Sequence, residues 1–222
     1  MFCHQYGSDM DGENMLLSSL ISGFMTGAGL IIAIGAQNAF VLKQGILRNH
    51  IGIVVLTSAI ADIVLIICGI AGIGALVKEL PILMNIFRFG GAAFLGYYGL
   101  LAAQRAWKGS GGLSITESSI MGKSQVFLTC LAFTLLNPHV YLDTMVLIGS
   151  ISTRYEGSAQ AMFGLGACIA SIMWFTSLGY GARLLRPIFT KPNAWRILDA
   201  IIAIIAIFMF VLCLLLIFKP LN

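Results

Sequence analysis

Leu135-Leu136-Asn137-Pro138-His139-Val140-Tyr141-Leu142-Asp143 sets a proline, an imidazole and a carboxylate inside a run, 126–153, whose one charged residue is Asp143. A run of that length can span a bilayer, which takes roughly 20 apolar residues. Pro138 removes a backbone donor and crowds the carbonyl one turn back, so a helix here must kink or open. Asn137 precedes the proline and is biased out of the helical region. Lipid offers no partner to the backbone groups freed by a break, so the break must face protein or a water-filled cavity. His139 and Asp143 follow at i and i+4, one face of a regular helix. A break, a cavity and a charge in one place predict a transport site; the plainer alternative is a kinked structural helix with a satisfied carboxylate.

The rest of the chain has the same character. Of 222 residues, 59% are hydrophobic and 10% charged, and the mean hydropathy is +0.95. Soluble domains carry about 25% charged residues, so the composition predicts an all-α integral membrane protein. Six apolar spans are expected, at 16–42, 51–77, 82–103, 126–151, 159–181 and 200–218. Little remains for a soluble domain, and the net charge of +4 reflects loop residues, with no sign of a nucleic-acid partner. Asp9, Asp11 and Glu13 make residues 1–15 an acidic tail, opposite in sign to the basic front of a cleaved signal. Cys3, Cys68, Cys130, Cys168 and Cys213 show no paired spacing and are expected as small packing residues, neither metal ligands nor disulfides. No cofactor is expected.

The first span is uncharged from 15 to 42, roughly 42 Å as one helix against a hydrocarbon core of roughly 30 Å. Its second half reads Ile34-Gly35-Ala36-Gln37-Asn38-Ala39-Phe40. A glycine followed by two amides predicts a second interruption facing the same cavity, unless the amides bond between packed helices. Asp62 stands near the centre of the second span, where a carboxylate costs roughly 2.5–3.5 kcal/mol and is a functional group by default. Gly69, Gly72 and Gly74 beyond it permit close helix approach, as do the pairs Ala92/Gly96 and Gly99/Ala103 in the third span. The sixth span has no polar residue beyond Cys213 and reads as lipid-facing or subunit-facing. Trp107 and Trp195, toward span ends, read as interfacial anchors.

A polar linker, 109–123, separates two halves of similar length, 16–108 and 124–218. Each holds three spans, the first of them interrupted. Three is odd, so the halves enter the membrane in opposite senses, as two inverted three-helix repeats with binding where the interruptions meet. Loops one-two, three-four and five-six carry nine Lys and Arg, among them Lys43 and Arg105; the other side carries four, Lys78, Arg88, Arg154 and Lys219. That bias puts the nine in the cytoplasm and both termini outside.

Two acids, Asp62 and Asp143, lie in the inner parts of the spans, with no Lys or Arg beside them in sequence. Facing one cavity they form a cation site, and their repulsion predicts that one holds a proton while the site is empty. The stretch Gly35-Ala36-Gln37-Asn38-Ala39-Phe40-Val41-Leu42-Lys43-Gln44-Gly45, the Ala61-Asp62-Ile63 stretch and Asn137-Pro138-His139-Val140-Tyr141-Leu142-Asp143 together resemble the signatures of the lysine/arginine exporter family, the LysE/ArgO type. The resemblance runs from about residue 16 to 218. It departs at Ala36, where the family usually has proline. It implies a bacterial inner-membrane exporter of L-arginine, L-lysine or both, driven by the proton motive force and not an enzyme. Asp62, Asp143, Gln37, Asn38, Asn137, His139 and Tyr141 are then the expected substrate and proton groups, with Gly35 and Pro138 at the helix breaks. The expected partners are the amino acid, protons and the lipid bilayer, with self-association into a homo-oligomer left open. The competing readings are a metal-cation exporter, which three histidines and no Cys pair argue against, and an exporter of other amino acids.

Overall fold

The computed structural model of the chain describes residues 2–32, 35–72, 81–108, 121–137 and 140–218, and most of their side chains from residue 12 onward. Pro138 and His139, most of the 109–123 linker, Gly74, Lys78, Lys219 and the side chains of Arg88 and Lys108 lie outside the described residues. Among the described residues there are eight helices and no strand: α1 (Phe2–Ile31), α2 (Ala36–Leu47), α3 (Ile51–Ile70), α4 (Pro81–Lys108), α5 (Lys123–Leu135), α6 (Tyr141–Ser152), α7 (Gly157–Gly181) and α8 (Pro192–Phe218). Two short 3₁₀ turns, Ala182–Leu185 and Ile188–Thr190, connect α7 to α8.

Among the described residues four stretches are long and apolar enough to cross a membrane: Gly12–Ile31, Ile51–Ile70, Gly157–Leu185 and Asn193–Leu215. The fourth expected span is instead two shorter apolar helices, α5 and α6, on either side of Pro138 and His139. The first expected span also divides. Its α1 ends at Ile31 and α2 begins at Ala36, with Gly35 extended at the N-cap (φ −123°, ψ 177°). The helices fall into two compact units: one of 1–33, 62–79 and 141–174, the other of 34–61, 80–140 and 175–222.

In the first unit α1 packs on α7 with backbone against backbone. A Cβ at Gly23 would meet the Phe163 carbonyl, one at Gly27 would meet Ala167, and one at Gly166 would meet Leu20 and Phe24. This is the small-residue approach by which apolar helices associate without hydrophobic help from water. Gly69 of α3 lies equally close to Thr144 and Met145 of α6, and Gly149 to Gly69. Ile66, Ile148, Phe163 and Ala167 close the core. Gly72 does something different. It meets nothing, but its φ of +83° ends α3 in the left-handed region that glycine enters without strain.

In the second unit Phe133 of α5 is the hub of an aromatic cluster, with ring centroids 4.7 Å from Tyr98, 4.8 Å from Phe94 and 5.2 Å from Phe40. It ties α2, α4 and α5 together. The pairs seen in the third span are used where α4 meets α8: Gly96 faces Phe210, and Gly99 faces Ala206 and Ile207. Trp195 is not an interfacial anchor. It is buried with Leu198 and Ile202, and its Nε1–H donates to the Phe189 carbonyl at 2.8 Å. Trp107, 88% exposed, is free to anchor.

The contacts also give helix directions. Along α3 and α7, Asp62 pairs with Ser171 and Ile70 with Gly164, so the two run antiparallel. Along α4 and α8, Gly96 pairs with Phe210 and Ala106 with Arg196, again antiparallel.

Candidate functional site

Asp62 lies eight residues before the Ile70 end of α3 and is 3% exposed. Ser171 Oγ, itself fully buried on α7, donates to Asp62 Oδ2 at 3.2 Å. Among the described residues one neutral hydroxyl meets it, a thin shell for a carboxylate in low dielectric, where unpaired charge is costly.

Asp143 belongs to the same unit. It stands half-buried in the first turn of α6, whose Tyr141–Ile148 portion is a π-helix. A π turn bonds i to i+5, is rare, and gathers at functional sites. The i, i+4 relation expected between His139 and Asp143 falls outside the described residues, because His139 is not among them. Tyr141 is buried in the same turn. Because α6 meets Gly69, which lies seven residues along α3 from Asp62, the two helices bearing the acids are in contact roughly 10 Å from Asp62.

The amides belong to the second unit. Gln37, 6% exposed in the first turn of α2, has a buried Nε2 with no hydrogen-bond partner among the described residues; Asn38 beside it is half-buried. Asn137 is buried just past α5, and the Val140 N–H reaches its carbonyl at 3.2 Å across the break. The structure thus sets Asp62, Tyr141 and Asp143 in one unit and Gly35, Gln37, Asn38 and Asn137 in the other.

Ala36, the departure from the family pattern, is the first residue of α2. Proline is favoured there because that N–H has no intrahelical partner, and Gly35 already has the extended backbone a following proline demands. Ala36→Pro is expected to keep its unfolding free energy within about 1 kcal/mol of the parent and to transport normally. Loss of transport at unchanged stability would mean that the softer break is needed.

Sequence reasoning missed a charged cluster in the second unit. Lys43, expected as a loop cation, is buried in α2, and its Nζ lies 2.7 Å from Asp199 Oδ1 of α8. Arg105 Nε of α4 lies 3.3 Å from the same oxygen. The Tyr98 ring centroid is 5.7 Å from the Arg105 Cζ. Asp199 sits one residue before the apolar stretch 200–218 and Lys43 one residue after 16–42, so each looks like an ordinary flanking charge.

Apolar helices, two of their spans interrupted, with a carboxylate sealed inside a third are the architecture of a multi-pass membrane transporter. The chain belongs to the LysE type translocator family, which it matches over residues 28–219. It is 49% identical over 175 residues to proteins named "Putative amino-acid transporter" from Mycobacterium bovis and Mycobacterium tuberculosis, covering 79% of this chain and 86% of each relative. No solved structure matches the chain. The resemblance carried by the Gly35–Gly45, Asp62 and Asn137–Asp143 stretches is borne out by this membership.

Proposed function

We propose that the chain exports basic amino acids, L-arginine or L-lysine, from the cytoplasm across the bacterial inner membrane in exchange for protons. The observation that carries this reading is Asp62, a carboxylate 3% exposed within an otherwise uncharged helix and met by one hydroxyl. A cationic side chain and a proton compete for such a group, which couples their movements. Asp143 is the second acid, and Gln37, Asn38, Asn137, His139 and Tyr141 supply polar contacts around the two breaks.

The architecture proposed is six spans in two inverted repeats, with both termini outside. Antiparallel pairing of α3 with α7 and of α4 with α8 supports it, since these are the corresponding helices of the two halves. So do the interruptions before Ala36 and after Leu135.

Moving one positive charge out of an inside-negative cell costs about 2.3 kcal/mol per 100 mV. A passive pore would therefore accumulate basic amino acids inside. Exchange with one entering proton cancels the charge movement and leaves the pH gradient as the driving force. Vesicles loaded with labelled arginine, lysine and a neutral amino acid are expected to release the basic ones uphill, and to stop when an uncoupler collapses the gradient with ATP still present. Uphill release that survives the uncoupler would show another energy source. Release of the neutral amino acid alone would overturn the substrate assignment.

A further inference from the structure

We propose that Arg105, held beside Lys43 and Asp199, is a second ligand site that reads the α-carboxylate of the amino acid at the face where it is loaded. This rests on the export reading above, which puts the end of α4 at the cytoplasmic side. Among the described residues the cluster has two cations and one carboxylate, an excess of one positive charge. Lys43 and Asp199 are sealed, with side chains 8% and 4% exposed, whereas Arg105 is 34% exposed and can be reached.

The two bonds to Asp199 are unequal. Charged N–H···O bonds are about 2.7–2.9 Å at their best. Lys43 meets that length at 2.7 Å, while Arg105 at 3.3 Å is loosely held. Asp199 is thus bound most closely by Lys43, and Arg105, which also hydrogen-bonds Tyr98, can turn part of its fork to a second carboxylate. Its Nη2 is buried and has no hydrogen-bond partner among the described residues, which marks an unfilled donor position beside the pair. Tyr98 against the guanidinium fixes its direction. Two N–H groups of one guanidinium match the two oxygens of a carboxylate, a geometry an ammonium cannot supply.

Such a site gives the transporter something its deep acids cannot. Asp62 and Asp143 attract any cation, including amines that have lost their carboxylate. Arg105 would admit amino acids and turn those amines away.

The test uses the full chain in nanodiscs of zwitterionic lipid, with calorimetric binding of arginine, arginine methyl ester and agmatine. The parent is expected to bind arginine about 10-fold or more tightly than the ester or agmatine, the scale of one charged hydrogen bond. Arg105→Gln should remove that preference by weakening arginine and leaving the ester unchanged. Arg105→Lys keeps the charge and guards against misfolding; it should recover part of the preference and not all, because the fork is gone. Equal binding of acid and ester by the parent would overturn the proposal, as would equal weakening of both in Arg105→Gln. Stabilisation by phosphatidylglycerol and by no amino acid would assign the site to a lipid phosphate instead. Should efflux reveal a neutral substrate, the same comparison with that amino acid and its ester decides the carboxylate site apart from the failed assignment.

Discussion

Asp62→Asn is expected to insert, fold and leave export of basic amino acids at the background rate. The amide has the shape of the carboxylate and can still accept from Ser171, whose Oγ lies 3.2 Å away. Removing a charge from a site 3% exposed relieves a desolvation cost, so the thermal midpoint should hold or rise. What disappears is the attraction for a cation and the capacity to trade it for a proton. Ser171→Ala separates the parts. It keeps the charge and removes the hydroxyl, a change of about 1 kcal/mol in stability, and should reduce export without abolishing it. Asp143→Asn should also stop export, because the proposed cation site draws on both carboxylates. Efflux rates together with midpoints in detergent check all three, and full export by the Asp62 and Asp143 variants would sink the cation site.

Asp62 was legible because a lone carboxylate in an apolar run has no structural excuse. The break after Leu135 was legible for a similar reason: Asn137-Pro138 cannot continue a helix. The π form of α6 was not, because apolar residues at nearly every position of 140–148 leave no period to read. The α1–α7 contact shows a subtler limit. Gly23 and Gly27 have the small-residue spacing in plain view, yet spacing names a sticky face without naming its partner; Phe163 and Ala167 are about 140 residues away. Ala92/Gly96 and Gly99/Ala103 read correctly as packing positions for the same reason that their partner on α8 could not be read. Trp195 went astray because a tryptophan at a span end and one capping a buried turn look alike in sequence. Lys43 and Asp199 are 156 residues apart, and each falls just outside an apolar stretch, so their pairing belongs to the fold alone.

That pairing sets the largest stability effect expected. Asp199→Leu leaves Lys43, 8% exposed, without its counter-charge and with Arg105 as a like-charged neighbour. Removing one partner from a buried pair costs about 3–5 kcal/mol, because the remaining charge is stranded. The variant should express poorly and melt far below the parent. Losing both partners is a different matter, since taking two charges out of water is itself costly and apolar replacements of similar volume are often neutral or better. Lys43→Met combined with Asp199→Leu is therefore expected to recover most of the midpoint, with Arg105 turning its partly exposed guanidinium toward water or headgroups. Adding Arg105→Leu should complete the recovery while abolishing discrimination between arginine and its methyl ester, so stability and selectivity part company in one protein. Melting curves for the single, double and triple variants decide the matter. A single variant as stable as the parent would show that the cluster holds nothing together, and a double variant no better than the single would show that the loss is one of packing, not of a stranded charge.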